Sequence, residues 1–529
     1  MSTPPLTRQN LLFLATGLAG SFLVNLSAQF TSANISDIQQ GLLAGADEGS
    51  WITTAYTMGS CVGIVTSGLL IGALSIGRYL VVSSILFAAA ALAGASTSEL
   101  GAMVALRSLQ GFAAGGFGPA AFVAVFMVAG GPRLAHAVII LAFALLFSGT
   151  AGAAIAGYVS DSFGWRGLFA VQAAIGAALA LAACLWVPHK ALNWSALRAD
   201  WRSIILLSLA LASLMLVLNQ GARRFWFANE IIVWGTALTA AAWASFIFVS
   251  RSSPVPIVAP RLLLTQKFGL PIGLNFLLRA GLAVSSYLVP QFLATVEGYR
   301  PLDVSELMLW AAAAQLLALP LVWWFLHLCD LRVAMAIGVV LLLSGIILMG
   351  SEATTSAREY FHYGLAIYAA GQLLLLTPAM IVGTGSLKPA DLPTASLTFN
   401  ISNLAGTTLG VGILSSFVAE RQKFHSDALT EAASLYRASD GEWVSGLVGA
   451  VAGRVASDAG ATVRAAAQIG SAARRQAWAL AFGDGFLVVA LMLVLGIVAV
   501  VAIGRSPPIP RPVKFFRREK PLETENHVA

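Results

Sequence analysis

Fourteen stretches of this chain are each long and apolar enough to cross a lipid bilayer, and that count constrains the fold more than any motif. A helix needs about 20 mostly apolar residues to span the hydrocarbon core. Such runs lie at 11–33, 51–74, 79–96, 102–128, 134–158, 165–187, 203–220, 230–250, 268–293, 304–328, 332–351, 359–385, 394–419 and 477–503. They are too long for the alternating strands of a barrel. The first is longer than a signal-peptide core and lacks a small-residue cleavage site, so it counts as a helix. Composition agrees: the 529 residues are 58% hydrophobic and 10% charged, with a mean hydropathy of +0.81. A soluble domain carries roughly a quarter charged residues. A cytosolic enzyme, a secreted disulfide scaffold and a disordered protein are all excluded. The expected class is an all-α membrane protein.

The loops are short except for residues 420–476, an alanine-rich segment before the last run that is expected to form amphipathic helix outside the membrane. An even number of spans puts both termini on one side. If that side is cytoplasmic, it holds seventeen Lys/Arg, six of them in the tail from Arg505 to Lys520. The short external loops then hold five: Arg166, Arg223, Arg224, Arg300 and Arg358. This is the positive-inside pattern. The net charge of +7 therefore reads as topology and contact with anionic headgroups, and no nucleic-acid partner is expected.

Cys61, Cys184 and Cys329 form no C-x-x-C pair, and the six histidines show no ligand spacing. No metal and no cofactor are expected. The sequence has no P-loop, and no cluster of His, Asp or Cys marks a membrane enzyme. Secondary transport of a small molecule is the leading expectation.

Arg107, Gln110 and Gly111 stand in an R-x-x-Q-G arrangement in the fourth run. Thr31, Ala33 and Asn34 end the first run, and Trp51 to Tyr56 open the second. Gly157, Asp161, Trp165, Arg166 and Phe169 mark the junction of runs five and six, and Arg475 to Phe482 lead into the last. In order and spacing this set resembles the major facilitator superfamily, in particular its fourteen-helix drug/proton antiporters of the EmrB/QacA type. The resemblance covers nearly the whole chain. It implies two six-helix bundles, 1–187 and 268–503, with two extra central helices in 188–267 and a basic cytoplasmic tail over 504–529. It implies efflux of amphipathic drugs across a bacterial inner membrane in exchange for protons, and a periplasmic adaptor and outer-membrane channel as partners. It also implies that Arg107 sits near a central cavity and takes part in proton coupling, with Gln110 beside it. Three departures stand out. The loop after run two keeps Gly68, Gly77 and Arg78 but lacks the family's Asp-Arg pair; run five has Gly152 and Gly157 without the family's proline; and Gln29 stands where an acid is usual.

Ionisable groups inside spans are costly and mark function by default. Arg107 and Arg279 are the two basic ones. Arg279 shares a helix face with Asn275, between Pro271 and Pro290, and is read evenly as an anion site or as half of a structural ion pair. Asp484 is the one acid placed in a span, near its outer end, and Asp37 lies just outside the first. These two are weaker candidates for proton coupling. Asn25, Gln29, Tyr56, Asn275, Gln315, Gln372, Asn400 and Asn403 complete the candidate cavity set. Gly111, Gly115, Gly152 and Gly157 make thin faces for helix packing. Two further functions remain open. One is a dedicated exporter or importer of a single metabolite, such as a siderophore or an organic anion drawn to Arg107 and Arg279. The other is a non-transporting membrane receptor or scaffold.

Overall fold

A computed structural model describes residues 7–129, 132–194, 200–253, 257–352, 358–385, 387–388, 391–436 and 458–509. Nearly all of the described chain is helical. Thirteen of its helices are long and apolar enough to span a membrane. One of these, Pro132–Trp186, has 55 residues, close to twice the length a bilayer needs. It is two spans joined at Gly164, whose φ of 67° is a left-handed conformation that favours glycine. The fourteen expected crossings are therefore present, with a break of one residue between the fifth and sixth.

We number them α1 (Arg8–Ala33), α2 (Ala46–Leu74), α3 (Ile76–Ser96), α4 (Leu100–Val128), α5 and α6 (the two arms of Pro132–Trp186), α7 (Trp201–Gln220) and α8 (Glu230–Ser252). Then follow α9 (Gln266–Thr295), α10 (Pro301–Leu328), α11 (Leu331–Glu352), α12 (Arg358–Gly385), α13 (Leu392–Tyr436) and α14 (Asp458–Ile503). Local chemistry sets several starts. Thr7 accepts from the Asn10 amide at 3.2 Å to cap α1, Asp200 caps α7, and Asn229 caps α8, each satisfying an amide the helix leaves orphaned.

Helices α1–α6 surround one apolar cluster that includes Phe30, Phe87 and Phe117. A second and larger cluster fills α9–α14 and extends onto α4 and α5. The two halves meet along α5 and α10. Ser305 on α10 accepts from the Gly157 amide at 2.9 Å and donates to the Ala153 carbonyl at 3.0 Å. The inserted helix α7 packs on α2, where Gln220 donates to Thr54 at 2.7 Å. Helix α8 packs on α7 and leaves Trp234 (73%) and Phe248 (76%) exposed. Leu317, Leu491 and Val498 are exposed in the same way. Surfaces this apolar suit lipid, not water: the chain is a multi-pass membrane protein.

Close packing explains the glycines of α4. A Cβ on Gly111 would run into the Tyr56 carbonyl oxygen, and one on Gly115 into that of Ser60. Gly59 and Gly63 on α2 face α4 in the same manner, so the two backbones nearly touch. Gly152 lies against Leu26 and Gln29, Gly157 against Pro301 and Ser305, and Gly77 against Pro188. Gly68 does not share this role: a Cβ there meets nothing within 4 Å. Arg78 is half-buried, with its Nη1 unpaired.

The segment 420–476 is not a separate amphipathic element as far as it is described. Helix α13 continues through it to Tyr436, and α14 begins at Asp458. Residues 437–457 between them, and the basic tail from Arg511 to Lys520, lie outside the described residues.

Candidate functional site

A cavity of about 180 Å³ lies between the two halves. Its wall comes from α1, α2, α4 and α5 on one side and from α9, α10, α12 and α13 on the other. The inserted pair α7 and α8 contributes nothing to it. Val24, Ala28, Ile64, Leu145, Leu146, Met308 and Leu404 make most of the wall apolar. Asn25, Gln29, Tyr56, Arg279, Gln372, Asn400 and Asn403 all line it. These seven come from the expected cavity set.

Two members of that set sit one layer back. Gln315 is fully buried and donates to the Gln372 oxygen at 2.9 Å. Asn275 donates to the Asn403 oxygen at 2.8 Å and to Ser402 at 2.9 Å, and it faces a separate small pocket between α9 and α12. Both position the amides that form the wall and do not form it themselves. The side chains are short and the helices close, so neighbours on one helix face reach different layers.

Helix α9 changes pitch where the cavity needs it. Between Pro271 and Pro290 the residues Val284–Leu288 make one π-helical turn, a wide turn often found at functional positions. Ser285 and Ser286 of that turn line the cavity, with Arg279 two turns earlier.

The two arginines share a buried, unpaired Nε but differ in everything else around the guanidinium. Arg107 is 1% exposed and does not touch the cavity. Its Nη1 donates to Gln110 at 2.5 Å and to Ser27 at 3.4 Å. Gln172 closes the network, accepting from Ser27 at 2.6 Å and from Gln110 at 2.9 Å. The Arg107 guanidinium lies 4.1 Å from the centre of the Tyr56 ring, a cation–π contact. Tyr56 itself lines the cavity and donates to the Val24 carbonyl at 3.2 Å. Arg107 is thus sealed behind Tyr56 and does not snorkel to a surface. Arg279 is 4% exposed and lines the cavity. Its Nε and Nη2 have no hydrogen-bond partner. None of the ion pairs among the described residues includes it, so the reading of Arg279 as half of a structural pair is set aside.

Neither acid reaches the cavity. Asp37 sits in the short helix Ile35–Gly41 and accepts from Ser160 at 3.2 Å. Asp484 is held on α14 by Arg421 at 2.6 Å and His425 at 2.8 Å, both on α13. This clip joins the last two helices at the end of the bundle away from the termini. Among the described residues lining the cavity there is no carboxylate, and Arg279 is the one charged side chain. Ser21, Ser60, Ser285, Ser286 and Thr407 on the wall, and Gln172 behind it, escaped the sequence reading. Single hydroxyls and one amide in apolar runs give no pattern to find. His136 and His327 also meet, Nε2 to Nε2 at 3.3 Å, at the end of the bundle that carries the termini. They lie 191 residues apart in the chain.

Fold and cavity together define a polytopic helical membrane protein built of two bundles around one internal chamber. The chain belongs to the Major Facilitator Superfamily, whose sequence profile matches residues 17–410. It is 22% identical over 405 residues to the Colistin resistance protein EmrB of Acinetobacter baumannii, covering 76% of this chain and 79% of that one. It is 26% identical over 417 residues to the Multidrug resistance protein Stp of Mycobacterium tuberculosis, covering 78% and 76%. Against the Multidrug export protein EmrB of Escherichia coli the identity is 22% over 437 residues, covering 81% and 84%. Among solved structures, a bacterial homolog of the human lysosomal transporter Spinster in an inward-facing, unoccupied conformation superposes with a TM-score of 0.53 at 13% identity, covering 94% and 97%. The proton:xylose symporter XylE gives 0.52 at 12%, covering 92% and 96%.

Proposed function

We propose that this protein is a secondary active transporter that expels amphipathic toxic compounds across the bacterial inner membrane in exchange for protons. The observation that carries the reading is the cavity: one mostly apolar chamber between two bundles, with a few polar groups converging on it from both. Such a chamber suits a hydrophobic body with a polar end. Rocking of the bundles about it gives alternating access. The relatives named for multidrug and colistin resistance support the same substrate class. The charge bias of the loops supports cytoplasmic termini. The Arg107 network, one side chain behind the wall, is proposed to register occupancy through Tyr56.

Helix α13 has 45 residues and α14 has 46, so each is roughly 68 Å long, against a hydrocarbon core of about 30 Å. Their shared projection is proposed as the contact for a periplasmic adaptor protein that leads to an outer-membrane channel. Export from cells is then lost when residues 430–465 are removed, while membrane insertion persists.

The direct test reconstitutes the protein in proteoliposomes with an imposed pH gradient and a panel of amphipathic dyes and biocides. Gradient-dependent movement of several panel members is expected. Absence of movement across the whole panel refutes the reading, and movement that ignores the pH gradient refutes proton exchange.

A further inference from the structure

We infer that the cavity is an anion-selective site, in which Arg279 is the counter-charge for the carboxylate of an amphipathic cargo. The inference rests on the efflux reading above and narrows its substrate class.

Three observations carry it. First, the Arg279 guanidinium is almost completely buried, faces the chamber, and has two N–H-bearing nitrogens without a partner. A buried charge with no counter-ion is strongly attracted to any anion that can reach it. Second, the described residues of the wall include no carboxylate, so a cationic cargo would enter a chamber whose one fixed charge repels it. Third, two wall amides on the same half as Arg279, those of Gln372 and Asn403, are turned towards donation. The oxygens of Gln372 and Asn403 are engaged by Gln315 and Asn275 at 2.9 and 2.8 Å. Their NH2 ends are therefore the ones left to a ligand. Guanidinium and two amide NH2 groups make a set of donors, and a carboxylate is a pure acceptor.

The opposite wall suits the rest of such a molecule. Val24, Leu145 and Leu146 present an apolar face from α1 and α5. The cargo lies with its charged end on the α9–α14 half and its hydrophobic body against the α1–α6 half. Arg107 takes no part, because Tyr56 stands between it and the chamber. An anion that leaves carries negative charge outward, so an inside-negative membrane potential assists its export.

The test uses the full chain in proteoliposomes under an inside-negative potassium diffusion potential. Three fluorescent probes share one body: dansylglycine, its neutral carboxamide, and a dansyl ethylenediamine that is cationic at neutral pH. The carboxylate is expected to move out of the loaded compartment at least tenfold faster than either analogue. Arg279→Gln should bring it down to the rate of the carboxamide, and Arg279→Lys should retain part of the difference. Gln372→Glu places a carboxylate on the wall of the chamber that Arg279 lines, and it should abolish dansylglycine movement and speed the cation. Thermal unfolding of each variant in detergent, with and without dansylglycine, separates a folding defect from lost recognition: wild type is stabilised by the probe and Arg279→Gln is not. Equal rates for the three probes, or an Arg279→Gln variant that still prefers the carboxylate, overturn the anion inference and leave the efflux reading standing. No movement of any probe above protein-free vesicles overturns both.

Discussion

Each half of the molecule buries one arginine, and the two are treated in opposite ways. In the α1–α6 half, Arg107 is surrounded by Ser27, Gln110, Gln172 and the face of Tyr56. In the α9–α14 half, Arg279 sits on the cavity wall with two nitrogens unpaired. A buried guanidinium that donates through Nη1 to Ser27 and Gln110 and lies over the Tyr56 ring ties together the helices that carry them, although its Nε is unpaired. A buried charge without partners holds nothing together and is a liability until something binds. The same residue type, almost equally buried, is therefore held in a network behind the wall in one half and left open to a ligand in the other.

The sharpest way to break this contrast is to remove each charge in turn. Arg107→Ala leaves Gln110 without its charged donor in a dry interior and opens a void, at a cost of about 4 kcal/mol. Arg279→Met removes an uncompensated charge while keeping apolar bulk, and it should be neutral or stabilising by up to about 2 kcal/mol. Tryptophan-monitored thermal unfolding in detergent gives both numbers. A large loss of stability for Arg279→Met, or none for Arg107→Ala, would reverse the assignment of roles.

Smaller effects test how far the Arg107 network extends. Gln172 accepts from two donors at once, so Gln172→Leu strands the Ser27 hydroxyl and the Gln110 amide, at about 2 kcal/mol. Gly111→Ala forces the α2 and α4 backbones apart under that network, at a comparable cost of about 2 kcal/mol. Gly68→Ala is its control: its new methyl enters open space, and the unfolding midpoint should not fall.

These contrasts also mark what the sequence could convey. The spans were legible because an apolar run of that length has one physical meaning, and the break at Gly164 fell where the fifth and sixth runs part. The six Asn, Gln and Tyr side chains that line the cavity from α1, α2, α12 and α13 were legible as polar groups in apolar surroundings, but which polar groups would form the wall and which would stand behind it was not. Gln315 and Gln372 look alike in sequence, yet one forms the wall and the other holds it. Gln172 passed unnoticed because its partners are 62 and 145 residues away. Whether Arg279 had a counter-ion was equally invisible, since any partner would come from another helix. The partners of Asp484 were hidden for a related reason. Its partners Arg421 and His425 lie in a stretch whose polarity reads as loop, although the helix runs through it.

That clip offers the smallest effect and a useful boundary to the comparison. Asp484, Arg421 and His425 are 28%, 33% and 17% exposed, so water screens their attraction as it never screens Arg107. A pair of this kind contributes at most about 1 kcal/mol. Asp484→Asn keeps the size of the side chain and one acceptor, and it should lower the unfolding midpoint only slightly. It should also leave dansylglycine movement at the wild-type rate, because the clip joins α13 to α14 beyond the cavity and contributes nothing to its wall. A variant that instead lost transport while remaining folded would place control of the chamber at the projecting ends of α13 and α14, and the contrast between the two arginines would no longer account for where charge matters in this fold.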